Sequence, residues 1–462
     1  MGRLFGTDGV RGVANTDLTC ERALAIGRAA AEVLVDGCRR RPLFVVGSDT
    51  RISSDMLSCS VMAGICSMGA DVISLGVVPT PAVAFLVGKY KADAGIMISA
   101  SHNPCEFNGI KIFSGDGYKL PDALEEKIEA IVLDKESIFK IPVGSDVGKI
   151  TYADEAAKDY VNHIKSSVLY SLDGMKIAVD CSNGSASATA KQLFRELGAD
   201  AQVLFDTPNG SNINENCGST HIDALAKFVV ENGLDAGVAF DGDADRCLAV
   251  DENGNIIDGD MIMAICALDL VERGRLNHRC VVGTIMTNFG FGKFCKENDL
   301  KFVATKVGDR FVLEEMLLED YSFGGEQSGH IIFRDFATTG DGQLTACQLL
   351  SIMKRKGQKL SELASCMNRY PQKIVNLTVP SEGKLQFYTD KDIKEAVEKG
   401  KEELGESGRV VVRPSGTEPL IRVMAEGKDM AQIEKICDDI ATVIEKKLEG
   451  KRKIKNTKAP DL

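Results

Sequence analysis

Asp93-Ala94-Gly95-Ile96-Met97-Ile98-Ser99-Ala100-Ser101-His102-Asn103-Pro104 reads as a buried strand that ends in a polar turn. The uncharged run from Ala94 to Ile98 suits a sheet covered on both faces, and Pro104 cannot donate to a ladder. Ligands of open α/β sheets gather outside the carboxyl ends of their strands. Ser101 is therefore expected to hold its hydroxyl rigid and exposed toward a substrate, with His102 beside it. The plainer reading is a turn whose serine bonds its own backbone, and this segment alone does not choose between them.

Working outward, Asp235-Ala236-Gly237-Val238-Ala239-Phe240 echoes the run before the serine, and Tyr321-Ser322-Phe323-Gly324-Gly325 is a weaker third copy. Each copy ends at a polar loop. Before each lies a strand, loop, helix and second strand: Leu43–Val46 to Gly69–Ile73, Met175–Val179 to Gly198–Val203, and Cys280–Val282 to Lys301–Val303. Such βαβ units imply parallel strands with covering helices. The expected fold class is α/β: three similar α/β domains with mixed, mainly parallel sheets, plus a C-terminal α+β domain, around a central cleft. After Tyr370-Pro371 the pattern changes to a strand at 374–379, a helix at about 390–404, two strands around 414–419 and a final helix. That helix carries a capping-box pattern, Asp429 with Gln432, and an apolar face of Ile433, Ile436, Ile440, Val443 and Ile444. Predicted domains are 1–152, 153–256, 257–370 and 371–450, followed by a polar, basic tail at 451–462 expected to fray.

Bulk composition narrows the partners. The 462 residues are 44% hydrophobic and 26% charged, as in soluble globular proteins, and the net charge of −12 argues against nucleic acid or an anionic membrane as partner. Any anionic substrate then needs local positive groups. The 14 cysteines are scattered without a C-x-x-C pair, which predicts reduced thiols in a cytoplasmic protein. The N-terminus shows no signal-peptide pattern, and no uncharged run is long enough to span a bilayer.

The loops carry the chemistry. Asp241-Gly242-Asp243-Ala244-Asp245-Arg246 places three carboxylates on alternate residues after an apolar strand. On a straight strand they would share a face yet lie apart; a curl at Gly242 would bring them onto one hard cation such as Mg²⁺. The alternative is a solvated acidic turn. An EF-hand reading fails because Arg246 takes the position that needs glycine, and a dehalogenase-type reading fails because Asp245 stands where threonine is required. Arg413-Pro414-Ser415-Gly416-Thr417-Glu418-Pro419 concentrates a guanidinium, hydroxyls and accessible N–H groups suited to a phosphate, though it also reads as a plain turn. Phe5-Gly6-Thr7-Asp8-Gly9-Val10-Arg11-Gly12 is another glycine-rich loop that includes an arginine. Lys111 is either a surface lysine or a group near Ser101 that manages a proton or phosphate charge. His102 and His330 could each do no more than satisfy turn backbone. Taken together, a serine, three aspartates and two anion loops point to phosphoryl transfer, where positioning and charge neutralisation supply most of the catalysis.

These motifs resemble the α-D-phosphohexomutase superfamily over essentially the whole chain to about Gly450. The resemblance rests on Ser99–Pro104, Asp241–Arg246, Gly325-Glu326-Gln327-Ser328-Gly329-His330 and Arg413–Pro419, in the family's order. Phe5–Gly12, Asn212-Ile213-Asn214 with Cys217-Gly218, and Gln327 resemble its glucosamine branch. The resemblance implies a phosphorylated Ser101 and one Mg²⁺ held by its phosphate with Asp241, Asp243 and Asp245. It implies proton transfer by Lys111 or His102, and charge neutralisation by Arg246 and Arg11. It also implies sugar contacts from Glu326, Ser328 and His330, and phosphate contacts from Arg413, Ser415, Gly416 and Thr417. The implied reaction interconverts glucosamine 6-phosphate and glucosamine 1-phosphate, on the path to UDP-N-acetylglucosamine, with the homodimeric state left open. Glucose or mannose phosphates, or a silent sugar-phosphate binder, are the alternatives. A phosphoserine dianion among three carboxylates gathers about five negative charges, and each like pair near 4 Å costs about 4 kcal/mol at an effective dielectric of 20. Cations are therefore required at this point.

Overall fold

The computed structural model describes residues 3–6, 8–34, 40–135, 141–414 and 420–452. The first sheet holds β1 (Val10–Val13), β2 (Leu43–Ser48), β3 (Asp71–Val77), β4 (Ala94–Ile98), β5 (Phe107–Ser114) and β6 (Ile150–Tyr152), in the order β1-β5-β4-β2-β3-β6. The second holds β7 (Lys176–Asp180), β8 (Asp200–Leu204), β9 (Ala236–Phe240), β10 (Cys247–Asp251) and β11 (Ile256–Ile257), ordered β11-β10-β9-β7-β8. The third holds β12 (Cys280–Thr284), β13 (Lys301–Thr305), β14 (Phe323–Gly325) and β15 (Ile331–Phe333), ordered β13-β12-β14-β15.

One motif recurs in all three. A central strand (β2, β7, β12) pairs in parallel with its successor on one side and with the third strand (β4, β9, β14) on the other. That third strand then turns into an antiparallel partner (β5, β10, β15). The α/β class and its mixed, mainly parallel sheets thus follow from the repeat. β4 and β9 are buried at every residue, which is why their sequences show no polar alternation. The serine loop, the aspartate loop and the Glu326–His330 loop are each the connection between the third strand and its antiparallel partner, so three returns lie at equivalent places.

The chain divides into two compact units, residues 1–286 with 300–366, and residues 287–299 with 367–461. The second unit contains β16 (Gln372–Thr378), β17 (Gly408–Pro414), β18 (Leu420–Gly427) and β19 (Lys451–Arg452), ordered β17-β18-β16-β19 and antiparallel throughout. Ile433, Ile436, Ile440 and Ile444 of the helix Met430–Leu448 are buried in its core with Ile421 and Val423, and Val443 packs against it half-buried. The capping box is only half present. The Asp429 side chain accepts from Ala431 N at 2.9 Å, but Gln432 Nε2 turns away and donates to Glu403 O at 3.2 Å. The tail also departs from expectation at its start, because Lys451 and Arg452 pair with Thr378 and Leu377, and Arg452 reaches Asp438 at 2.5 Å. Its later residues lie outside the described part. The described cysteines are all free, and no described helix is long and apolar enough to cross a membrane.

Candidate active site

Ser101 follows β4 with φ at +52°, in the left-handed region that a non-glycine residue occupies only when its surroundings hold it there. Four neighbours do so. Ser101 N donates to Ser99 Oγ at 3.0 Å, and Ser99 Oγ donates to Asp49 Oδ2 at 2.6 Å. The carbonyl of Ser101 accepts from Arg51 Nη2 at 3.1 Å and from Asn214 Nδ2 at 2.9 Å, and both side chains also bond Asn103 O. Contrary to the exposed hydroxyl expected from the sequence, Ser101 is only 1% exposed. Its Oγ does not bond its own backbone; it donates to Asp241 Oδ2 at 2.5 Å.

The aspartate loop curls as anticipated, by a different residue. Ala244 supplies the left-handed step (φ +55°), and its N–H donates to Asp241 O at 3.0 Å. Gly242 serves close approach instead, since a Cβ there would lie 2.5 Å from Ser101 O. The result brings carboxylate oxygens of Asp241, Asp243 and Asp245, all buried, within 4.8 Å of one another. Asp243 Oδ1 and Asp245 Oδ1 are buried without a hydrogen-bond partner. Bare, converging, hard oxygens of this kind fit a divalent cation. Burial, reinforced by Asp245 and Asp243, pushes the Asp241 carboxyl well up, whereas for Asp245 burial is overcome by Lys111, His330 and Arg246 and the net shift is down.

Lys111, on β5, lies 2.8 Å from Asp243 Oδ2, 3.2 Å from Asp245 Oδ2 and 3.0 Å from Asp8 Oδ2, and is 1% exposed. It is therefore no surface lysine, and its charged partners are carboxylates. Burial favours its neutral form, but Asp243, Asp8 and Asp245 outweigh that and hold its pKa well above the ordinary lysine value. An ammonium so held neutralises charge and donates hydrogen bonds. Arg11 pairs with Asp8, and Arg246 N donates to Asp241 Oδ1 at 3.2 Å with its guanidinium Nε 3.9 Å from Asp245 Oδ1.

His102 Nδ1 is 3.5 Å from Ser101 Oγ. Burial, with Arg246 and Arg11 nearby, lowers its pKa to about 3 against the opposing pull of Asp243 and Asp245. The imidazole is thus neutral, able to take a proton but not carrying one. In the unphosphorylated protein its ring resonances should stay at neutral-imidazole positions from pH 8 down to pH 5. A midpoint above 5 would contradict the structure. Because the folded pKa lies below the ordinary value of 6.5, this group's contribution to stability is intact above that pH and declines as pH falls from there toward 3.

The third return, between β14 and β15, lies against the aspartate loop through a Cys247 N to Gly329 O bond of 3.0 Å. Glu326 Oε1 accepts from Gly308 N at 3.0 Å, and burial, with Asp309 beside it, raises its pKa. Ser328 Oγ is buried without a hydrogen-bond partner. His330, expected at the substrate, has both ring nitrogens engaged within the protein. Nε2 accepts from Gly340 N at 3.0 Å and lies 3.5 Å from Asp309 Oδ2, while Nδ1 lies 3.6 Å from Asp245 Oδ1. Burial lowers its pKa, yet Asp245 and Asp309 prevail and the net shift is up. In its neutral form the ring offers the Nε2 lone pair to the Gly340 N–H, which puts the Nδ1 proton toward Asp245.

Several residues of the site carry no sequence signal that singled them out. Asp8 sits in the loop read for its glycines and Arg11, and it joins Lys111 to Lys119, whose Nζ lies 2.6 Å from Asp8 Oδ1 and 2.5 Å from Asp309 Oδ2. Its pKa falls well below the usual carboxylate range because Lys111, Lys119 and Arg11 overcome burial. Asp49 and Arg51 follow β2, and the repeat does place that loop at the same sheet edge. In the second unit, Arg413 stands opposite Arg422 across β17 and β18. Burial and that second guanidinium lower the Arg413 pKa, and Arg413 Nε is buried without a partner, an arrangement receptive to an anion. Ser415, Gly416 and Thr417 lie outside the described residues.

Comparison with known proteins places these loops in a family. Residues 2–138, 158–254 and 258–370 match the models of phosphoglucomutase/phosphomannomutase alpha/beta/alpha domains I, II and III, and residues 374–443 match that of its C-terminal domain. The phosphoglucosamine mutase of Caldanaerobacter subterraneus subsp. tengcongensis is 55% identical over 448 residues, spanning 97% of this chain and 100% of that protein. That of Clostridium beijerinckii is 52% identical over 447 residues, spanning 97% and 100%. Among solved structures, a phosphoglucomutase/phosphomannomutase family protein from Burkholderia thailandensis superposes with a TM-score of 0.80 at 23% identity, over 95% of this chain and 97% of that one. With all four domain models matched in order and the serine loop, the aspartate loop and Gly325–His330 at equivalent returns of three repeated sheets, the chain belongs to the phosphoglucomutase/phosphomannomutase family.

Proposed function

We infer that this chain interconverts glucosamine 6-phosphate and glucosamine 1-phosphate through a phosphorylated Ser101. The observation that carries the reading is the Ser101 Oγ to Asp241 Oδ2 contact of 2.5 Å beside two buried carboxylate oxygens that accept no hydrogen bond, in a chain 55% identical to a phosphoglucosamine mutase over 97% of its length. Asp241, Asp243 and Asp245, with the phosphate on Ser101, would hold Mg²⁺, which when bound neutralises the charge gathered there and polarises the phosphoryl group.

The chain's own groups divide the remaining work. In one half-reaction the P–Oγ bond of Ser101 breaks as a new P–O bond forms to the free hydroxyl of the sugar monophosphate, whose proton must leave. Lys111 and His102, the two titratable groups of the serine's own sheet beside this centre, are the candidates to receive it. The bisphosphorylated sugar then turns end for end, and its other phosphate passes to Ser101 Oγ, with bond changes in reverse. A turning intermediate needs one fixed reaction centre and one distal phosphate holder. Arg413 with the loop after it has the chemistry for the second task, and Glu326 and Ser328 for the sugar hydroxyls. Arg246, Arg11 and Lys111 offset the phosphate and carboxylate charge.

Substrate choice is the direct test. Rates with glucosamine, glucose and mannose 6-phosphates should differ strongly, with the highest kcat/KM for the amino sugar. A clear preference for a glucose phosphate would transfer the chain to the hexose mutases of the same family.

A further inference from the structure

Thr80 begins the helix Thr80–Lys89, on the sheet that carries Ser101, yet both of its polar groups reach the aspartate loop of the next sheet. Its N–H donates to Asp243 O at 2.9 Å, and its Oγ1 donates to Asp243 Oδ2 at 2.6 Å. The residue is fully buried. Lys111 Nζ reaches the same Oδ2 at 2.8 Å, so one oxygen of Asp243 takes two donors while Oδ1 takes none.

That asymmetry is informative. A carboxylate free to rotate would share donors between its oxygens, and a buried acceptor left bare costs about 1–3 kcal/mol. Here the main chain and Oδ2 are pinned from one side, which fixes the plane of the carboxylate and leaves Oδ1 bare within the three-aspartate cluster. We propose that Thr80 is a positioning residue for the divalent-cation site, acting through Asp243. Ligands held by a partner behind them bind metal more tightly because less freedom is lost on binding, and removing such partners weakens affinity by roughly 10–100-fold. The inference rests on the metal reading above. A residue that merely anchored a helix between two sheets would affect stability without changing metal affinity.

Mn²⁺ titration of the purified full-length protein, followed by the electron paramagnetic resonance of free Mn²⁺, tests this without any assay of turnover. Thr80→Val keeps the shape and removes the hydroxyl; it should weaken Mn²⁺ binding roughly 10–100-fold. Thr80→Ser restores the donor and should recover most of that affinity. Thermal unfolding run in parallel should show Mn²⁺ raising the midpoint of the valine variant less than that of the parent protein. Parent-like Mn²⁺ affinity in a folded Thr80→Val protein would overturn the role of Thr80 alone. Failure of the parent protein to bind Mn²⁺ would overturn the metal site itself. If the valine variant does not fold, Thr80→Ala decides: Mn²⁺ binding weakened roughly 10–100-fold supports the proposal, and near-parental affinity refutes it.

Discussion

Ser101→Ala is expected to abolish turnover, with kcat falling by about 10⁶-fold, the scale seen when a covalent nucleophile is removed. No neighbouring hydroxyl can stand in for it. Ser99 Oγ is committed to Asp49 at 2.6 Å, and Thr80 Oγ1 to Asp243 at 2.6 Å. Ser101 is also the residue whose oxygen reaches Asp241, at the edge of the cluster expected to hold the cation. Intact-mass measurement supplies an independent readout: the parent protein should contain a species heavier by one phosphoryl group, and the alanine variant should lack it. The fold should survive, because the backbone tethers from Arg51 and Asn214 to Ser101 O do not involve the side chain. Full isomerisation by this variant would remove the covalent scheme altogether.

The sequence made the sheets legible because β4 and β9 are buried on both faces and so appear as unbroken apolar runs of five residues. Their recurrence, and that of the strand and helix before each, disclosed three equivalent returns. The choice of residues at those returns was legible too, since alternate aspartates and a serine before proline have few cheap structural uses. What stayed hidden was how the loops are held. Gly242 looked like the flexible residue, but close packing against Ser101 O reserves it, and Ala244 takes the left-handed step. The bond between Lys111 and Asp243 spans 132 positions, and that between Asn214 and Ser101 spans 113. No local periodicity records such pairings, because they exist only once the sheets have packed. The burial of Ser101 escaped for the same reason: Asp241 and Asn214, which close on it from the second sheet's loops, lie 140 and 113 positions away.

Arg51 provides the clearest case of a residue invisible to motif reading whose loss should be severe. Its guanidinium pairs with Asp49, both side chains are fully buried, and Nη2 also bonds the carbonyls of Ser101 and Asn103. Arg51→Met should destabilise the protein by about 3–5 kcal/mol, because Asp49 is left as a buried charge without its cation. It should also lower kcat by about 100-fold, since the carbonyls of Ser101 and Asn103 retain only Asn214 and small misplacements of reacting groups are costly. The two effects are separable. Asp49→Asn combined with Arg51→Met removes the stranded charge; the amide oxygen can still accept from Ser54 Oγ and the residue 51 N–H, and only Ser99 Oγ, which donates to the other carboxylate oxygen, loses its acceptor. Thermal unfolding of the double variant should therefore recover part of the lost stability. Its kcat should not recover, because the tethers to the Ser101 and Asn103 carbonyls are still missing. Recovery of both would mean that Arg51 acts only by neutralising Asp49, and a single variant with parental stability and kcat would mean that the buried pair does not govern the nucleophile's placement.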